Sequence, residues 1–442
     1  MSISATSGVV SNIDYQTLIS QLVGIRQQSI TQLSDDKKTL EKTNSAYSNL
    51  SSKVDELKSA ADALRTLSSF NVFKTSVTDE TILGASASST AAKGSYSIVV
   101  TNIAKAHKIA ADGYASDTST VAGGAGFFKF TVGAGAEQTI AVDGTTTLAG
   151  LRDSINALGA GVTASIVNDG SASPYRLILT SSSTGASNGV AITQNDTTAA
   201  FNTTLQAAQD ASFTVDTMTF TRASNTVSDV ITGVTFDIKS GDPAKTVTLS
   251  VERDSDKIAE KVTDFVEKYN SIVSYIKANN RYDSETKVAG VFFGDTVARS
   301  VWDDLRKVMS GAVTGLPDTM NRLLHIGITS NTDGVFSLDS SKLKTALSTS
   351  FDDVVALFED GTTTDGFGAL MYNSASSITD TVDGRIKGRQ DGLQDNIKKI
   401  EDDIRNKEYT LSLYEDQLRS QFMGLETMLA SLKSQSNFLS NL

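Results

Sequence analysis

Residues 393–432 read LQDNIKKIEDDIRNKEYTLSLYEDQLRSQFMGLETMLASL, and an apolar residue returns at every seventh position: Ile397, Ile404, Leu411, Leu418, Leu425 and Leu432. Leu393, Ile400, Tyr414 and Met428 fill most of a second seam, which Lys407 and Gln421 interrupt. A heptad series this long buries its stripe only against a partner helix. A continuous helix from Ile397 to Leu432 would span roughly 54 Å at ~1.5 Å per residue, more than a compact globular domain requires. The other end of the chain answers it. Leu33, Leu40, Tyr47, Val54 and Ala61 form one seam there and Leu50, Leu57 and Leu64 the other, with Asp36 and Thr43 as interruptions. An intramolecular bundle and packing between chains both satisfy this N-terminal run.

The middle of the chain changes period. From about Phe70–Phe73 to residue 253 the pattern alternates, and Val234, Phe236 and Ile238 interleave with Thr235, Asp237 and Lys239 as in a half-buried strand. Strands are expected at 95–101, 127–132, 138–142, 162–167, 176–180, 218–222, 234–239 and 246–251, with one helix at 148–158. Asp143-Gly144, Asp169-Gly170 and Ser240-Gly241-Asp242-Pro243 supply turn chemistry between them. The Gly/Ser/Thr/Ala-rich segment 113–126 marks a boundary.

On either side the pattern is helical. Asp14 is placed to cap a first helix whose Leu18, Ile19, Leu22 and Ile25 share a face. Ile258, Val262, Phe265, Val266, Tyr269, Ile272, Val273 and Ile276 make another amphipathic face. Further helices are expected at 297–309 and 340–358, with a hairpin turning at Asp333-Gly334. The terminal helix should begin after the turns at Asp383-Gly384 and Asp391-Gly392. The fold class that follows is α+β and multidomain, a coiled-coil leg built from both termini around inserted β-rich head domains.

Composition narrows the function. The 442 residues hold no cysteine, which removes disulfides, thiolate metal sites and cysteine nucleophiles. The formal charge of −12, without a basic block, argues against a nucleic-acid ligand. No run approaches the roughly 18 apolar residues of a membrane span, and Met1–Val10 lacks the pattern of a cleaved secretory signal. The chain is therefore cytoplasmic or leaves by a route that needs no such signal.

Side chains that could do chemistry are few. His107 and His325 are isolated and lack metal-ligand spacing. The pairs Asp303-Asp304, Asp352-Asp353 and Asp402-Asp403 sit at i and i+1, which point in different directions on a helix and read as solvated faces. Gly123-Gly124-Ala125-Gly126 does not lead from a strand into a helix as phosphate-binding loops do. No acid, base and nucleophile converge, so no enzyme and no cofactor are expected.

Several ordered motifs carry a family resemblance. Gly8-Val9-Val10-Ser11-Asn12-Ile13-Asp14, followed by Leu18 and Leu22, resembles the opening of the flagellar filament cap (hook-associated protein 2) family, with Val10 and Asn12 where that family usually has glycine. Thr147-Leu148 through Ile155-Asn156, Val162 to Asn168, Arg176 to Ser181 and Thr184-Gly185 resemble the flagellin-type insert motif. Ser224-Asn225-Thr226-Val227 through Gly233-Val234-Thr235 is similar to the cap family's central signature. Phe265-Val266-Glu267-Lys268-Tyr269-Asn270 resembles its following helix, and Phe422-Met423-Gly424-Leu425-Glu426 to Phe438-Leu439 its ending.

The resemblance implies a division into four parts: terminal segments 1–40 and 405–442, flexible before assembly; a leg of 41–72 with 254–404; a head domain of 73–105 with 205–253; and a distal head domain of 106–204. It implies export through the flagellar apparatus and a homo-oligomeric plate at the filament tip, outside the cell. Implied partners are further copies of the chain, flagellin, hook–filament junction proteins and an export chaperone, with a host-surface ligand in some members; nucleic acid, membrane, metal and nucleotide are not among them. Leu18, Leu22 and Ile25 with Leu425, Met428 and Leu432 are the expected contacts to neighbouring axial subunits. Another axial protein (flagellin or junction protein) and a surface adhesin remain the alternatives.

Overall fold

The computed structural model describes residues 14–361 and 364–440, with side chains described to residue 437. The opening motif at 8–13 and the side chains of Phe438 and Leu439 lie outside that range. The chain divides into two compact units, one built from both ends, up to Phe70 and from Asp256 onward, and the other from Asn71–Ser255.

In chain order, α1 (Tyr15–Asp62) and the single turn α2 (Leu67–Phe70) lead into the second unit. Asp14 caps α1 as expected, accepting from the Thr17 N–H at 3.0 Å. The strands of the second unit are β1 (Phe73–Val77), β2 (Leu83–Ala87), β3 (Gly94–Asn102), β4 (Ala106–Ala110), β5 (Gly126–Val132) and β6 (Gln138–Val142), then helix α3 (Leu148–Ala157). They continue with β7 (Val162–Asn168), β8 (Tyr175–Thr184), β9 (Val190–Asn195), β10 (Thr203–Gln206), β11 (Ala211–Val215), β12 (Met218–Arg222), β13 (Thr226–Ile231), β14 (Val234–Ile238) and β15 (Val247–Arg253).

Two hydrophobic cores share this unit. Antiparallel sheets ordered β1-β15-β3-β11-β12 and β13-β14-β2 enclose Ile98, Val100, Phe213, Val234, Phe236 and Leu249, all at most 1% exposed. The alternation read in β14 holds: Val234, Phe236 and Ile238 point inward and Asp237 outward. Sheets β10-β4-β8-β7 and β6-β5-β9, with α3, enclose Phe128, Phe130, Leu148, Leu151, Leu177 and Leu179. β1 pairs with β15 so that Phe73 faces Arg253, which sets the two ends of the unit side by side.

The chain then returns to helices: α4 (Ser255–Asn279), the two-residue strands β16 (Tyr282–Asp283) and β17 (Val288–Ala289), α5 (Thr296–Ser310), the hairpin β18 (Ile328–Ser330) and β19 (Phe336–Leu338), α6 (Ser340–Thr349), α7 (Phe351–Phe358), α8 (Phe367–Thr379) and α9 (Arg385–Ser440). Their core takes Tyr47, Leu50, Val54, Leu57 and Ala61 of α1 together with the whole predicted face of α4.

Three expectations are corrected. The terminal helix starts at Arg385, so Asp391-Gly392 is helical. A helical glycine costs about 1 kcal/mol, and burial of Ile386, Leu393 and Ile397 on the same helix offsets it. Residues 340–358 form two helices, broken at Ser350 (φ −142°). The hydroxyls of Ser348 and Thr349 both donate to the Thr345 carbonyl there, the competition for backbone that weakens helices. Ile19 does not share the outward face of Leu18, Leu22 and Ile25; it is buried.

Candidate partner-binding surface

Four contacts pair α1 with α9 antiparallel. Tyr15 meets Phe422 with ring centroids 4.8 Å apart, the Arg26 guanidinium lies 3.6 Å over the Tyr414 ring, Lys37 bonds Glu401 at 2.7 Å, and Gln390 donates to Ser48 at 2.9 Å. Facing residue numbers thus add to between 437 and 440. That register sets Leu18 level with about residue 420, Leu22 with 416 and Ile25 with 413. It sets Leu425, Met428 and Leu432 beyond the first described residue of α1.

The chemistry of both helices changes at this outer end. Arg26 is the one charged residue among 15–34, and Glu426 and Lys433 are the two among 420–440; within 385–419 sixteen residues are charged. Exposed helices normally carry charge on their solvent face, and its depletion marks the core of an interface. Large apolar side chains stand out of these two charge-poor stretches, although α9 at the level of Leu18–Ile25 carries Glu415, Asp416 and Arg419. Leu18 is 40% exposed, Leu22 38% and Ile25 66%; Leu425 is 47%, Met428 66% and Leu432 52%.

All six fall on one flank of the pair. Ser29, with Arg26 and Ile30, lines a groove against Asp403, Lys407 and Leu411 of α9. Leu18, Leu22 and Ile25 precede Ser29 by eleven, seven and four residues and so share its stripe. Leu425 and Leu432 follow Leu411 at heptad spacing, and Met428 follows Lys407 in the same way. From the level of Ile25 to Leu432 the stripe extends about 28 Å at ~1.5 Å per residue.

The heptad reading of α9 needs one adjustment. Leu418 is buried against α1, but past it the protected side passes to Phe422, Glu426 and Leu429, leaving Leu425 and Leu432 outward. By the register both leucines lie past the level of Asp14, where the described residues begin, so no described residue of α1 faces them.

A polar knot at the root of the pair escaped the sequence reading. Asp295 caps α5, accepting from the N–H groups of Val297 (2.8 Å) and Ala298 (3.2 Å). The Tyr47 hydroxyl of α1 donates to it at 2.5 Å, and the Arg389 guanidinium of α9 at 3.0 and 3.2 Å. Burial pushes the Asp295 carboxyl up, yet the hydrogen bonds from Tyr47, Ala298 and Val297 and the Arg389 charge outweigh it and leave it below its ordinary value. Burial, then the neighbouring Asp295 carboxylate, push the Tyr47 hydroxyl strongly upward. The carboxylate's contribution to stability is present above about pH 3.8, its unperturbed value, and is lost as pH falls through the lower folded value. The one visible signal was Gly294-Asp295-Thr296 ahead of a helical pattern.

Among the described residues no cluster of His, Cys, Asp or Glu could hold a metal ion, and no helix is long and apolar enough to cross a membrane. Both histidine Nδ1 atoms accept backbone N–H groups, His107 from Val190 at 2.9 Å and His325 from Arg322 at 3.3 Å, which are structural positions. In each acidic pair at least one member is exposed.

Comparison with known proteins agrees with this picture. A family model for the Flagellar hook-associated protein 2 C-terminus matches residues 208–434, just over half of the chain; that for its N-terminus matches 11–107, and the Flagellin hook IN motif matches 128–183. B-type flagellar hook-associated protein 2 of Pseudomonas aeruginosa is 29% identical over 465 aligned positions, covering 98% of this chain and 96% of that protein. Flagellar hook-associated protein 2 of Escherichia coli K12 is 28% identical, with the same coverage. A crystal structure of the flagellar cap protein FliD D1-D2-D3 domains from Escherichia coli superposes with a TM-score of 0.65 at 27% identity, covering 79% of this chain and 99% of that one. The chain belongs to the flagellar hook-associated protein 2 family.

Proposed function

We propose that this protein caps the distal end of a bacterial flagellar filament, outside the cell. Copies of the chain assemble into a plate that retains exported flagellin and promotes its folding and insertion. Membership of the family along the whole chain supports this reading. The observation that carries the mechanism is the set of exposed apolar side chains on the charge-poor stretches 15–34 of α1 and 420–437 of α9. A cap must hold the filament end and yet yield one subunit site at a time. Partly exposed apolar side chains bind without a desolvated ion pair of their own, so contacts can be released and remade at low cost.

In this reading residues 1–40 and 405–442 engage the filament, 41–72 with 254–404 form the leg, and 73–105 with 205–253 form the head that carries a distal domain of 106–204. Junction proteins, an export chaperone and a host-surface ligand belong to the same proposal. Leu18, Leu22, Ile25, Leu425, Met428 and Leu432 are assigned to the contact with neighbouring axial subunits. Cells lacking the gene should secrete flagellin as monomer and recover filaments when the purified protein is added. Leu22→Glu or Leu425→Glu should give the same monomer release; filaments of normal number and length from both variants would overturn the assignment.

A further inference from the structure

An open sheet ends in strands whose outer backbone groups can take up another strand, and proteins protect such edges. Several edges of the second unit are protected. The outer N–H and C=O of Ala164 in β7 are taken by the Asn156 amide, and β10 and β13 carry breaks in their pairing register. β12, the last strand of the five-stranded sheet, differs. Its register on β11 is regular, and Met218-Thr219-Phe220-Thr221-Arg222 contains neither lysine nor proline. Its one charge is drawn aside to Asp229 of β13, at 3.0 Å.

Asp216 and Thr217, both at positive φ (48° and 75°), make the two-residue turn between β11 and β12. In such a hairpin the residues flanking the turn form a hydrogen-bonded pair, and the two kinds of pair then alternate. Val215–Met218, Phe213–Phe220 and Ala211–Arg222 are therefore the hydrogen-bonded pairs, and Thr219 and Thr221 aim their N–H and C=O groups away from β11. Both threonines are exposed. The Arg222 guanidinium donates to the Thr221 carbonyl at 2.9 Å, which leaves that oxygen a second lone pair. The inner face is open at this strand as well. Met218 lies opposite the buried Val215, on the core side of the sheet, yet is 61% exposed.

We propose that β12 of one copy pairs antiparallel with β12 of a second copy, centred on Phe220. The sequence argues for this occupant, because Thr219-Phe220-Thr221 reads alike in both directions. The centred pair sets Thr219 opposite the partner's Thr221, Thr221 opposite the partner's Thr219, and Phe220 opposite its own copy. Thr–Thr and aromatic–aromatic cross-strand pairs are favourable. The outward-facing threonines exchange backbone hydrogen bonds, and Met218 gains apolar cover from the partner's Phe220 on the diagonal. Arg222 stands beside the partner's Met218, so no like charges meet. The contact is isologous and closes at two copies. It covers an edge that would otherwise accept any strand, and it uses none of the residues assigned to the filament contact.

The absence of cysteine permits a direct test on the full-length protein. Thr219→Cys and Thr221→Cys are made separately, oxidised with copper phenanthroline alone and as an equal mixture, and run on non-reducing denaturing gels. Opposite residues of a hydrogen-bonded pair have Cα atoms about 5.5 Å apart, within reach of a disulfide. The mixture should therefore give a covalent dimer that contains one chain of each kind by mass spectrometry. In either variant alone the two thiols lie on the diagonal, about 7–8 Å apart at Cα and past that reach, so dimer should form at least about tenfold more slowly. No dimer from the mixture, or equally fast dimer from one variant alone, would overturn the pairing. Both substitutions are at exposed positions, and cooperative thermal unfolding followed by circular dichroism checks that the fold is kept. Failure of the pairing leaves the filament contact standing, since that contact rests on other residues and is read by flagellin release.

Discussion

Three asparagines within the family motifs do one job. The Asn225 side chain accepts the Ala104 N–H at 2.7 Å and donates to the Ala104 carbonyl at 3.0 Å. Asn156 holds Ala164 in the same way at 2.7 and 2.9 Å, and Asn270 holds Phe336 at 2.9 and 2.7 Å. A carboxamide has the donor and acceptor of a peptide unit, so each side chain serves as a short piece of strand that satisfies one residue's backbone. Aspartate keeps the shape but at neutral pH presents only acceptors. Asn270→Asp should therefore set a carboxylate oxygen against the Phe336 carbonyl and lower stability by about 2–3 kcal/mol. Urea unfolding followed by Trp302 fluorescence measures it, and an unchanged midpoint would refute the account. The motifs were legible as residues in order, whereas this use of them was not, because sequence shows spacing and not which distant backbone each amide reaches.

At the scale of the element, legibility followed period and contrast. The α4 face was readable because its apolar residues recur at helical spacing against charged neighbours, and all eight predicted positions are buried. α8 was missed: FGALMYNSASSIT carries no charge, and its exposed side is marked only by Asn373 and Ser377, while Phe367, Met371, Ala375 and Ile378 are buried. β9, β10 and β11 are short and rich in Ala, Thr, Ser and Gln, and pairing, more than side-chain burial, holds β10 in place. In the candidate surface the exposed leucines were legible, but the level at which the described part of α1 ends beside α9 was not, since the register of the pair is set by contacts such as Tyr15–Phe422 that spacing alone does not show. α1 itself has two regimes. Residues 46–62 pack into a many-helix core, while most of 15–42 stays exposed and pairs with α9. Amide hydrogen exchange should be fast at 15–40 and 405–437 and slow at 46–61 and in α4; uniform protection along α1 would contradict this division.

For the whole molecule, the inserted unit enters and leaves through neighbouring strand ends. Phe73 faces Arg253 across β1 and β15, and the Asp254 N–H donates to the Val72 carbonyl at 2.8 Å. Residues 71–255 therefore begin and end at one place and enclose their own cores, as an autonomous domain does. Expressed alone, this segment should unfold cooperatively and show dispersed amide resonances; a random-coil spectrum would show that it depends on the helical unit. The antiparallel register of α1 and α9 has another consequence. Because facing positions keep a constant sum, a deletion in one helix can be matched by an equal deletion in the other at the facing point. Removing or adding seven residues in both would restore side-chain directions to within about 20° per helix and move the outer end by about 10 Å. The pair behaves as a ruler graduated in heptads, and its length can change in paired steps without redesign of either end.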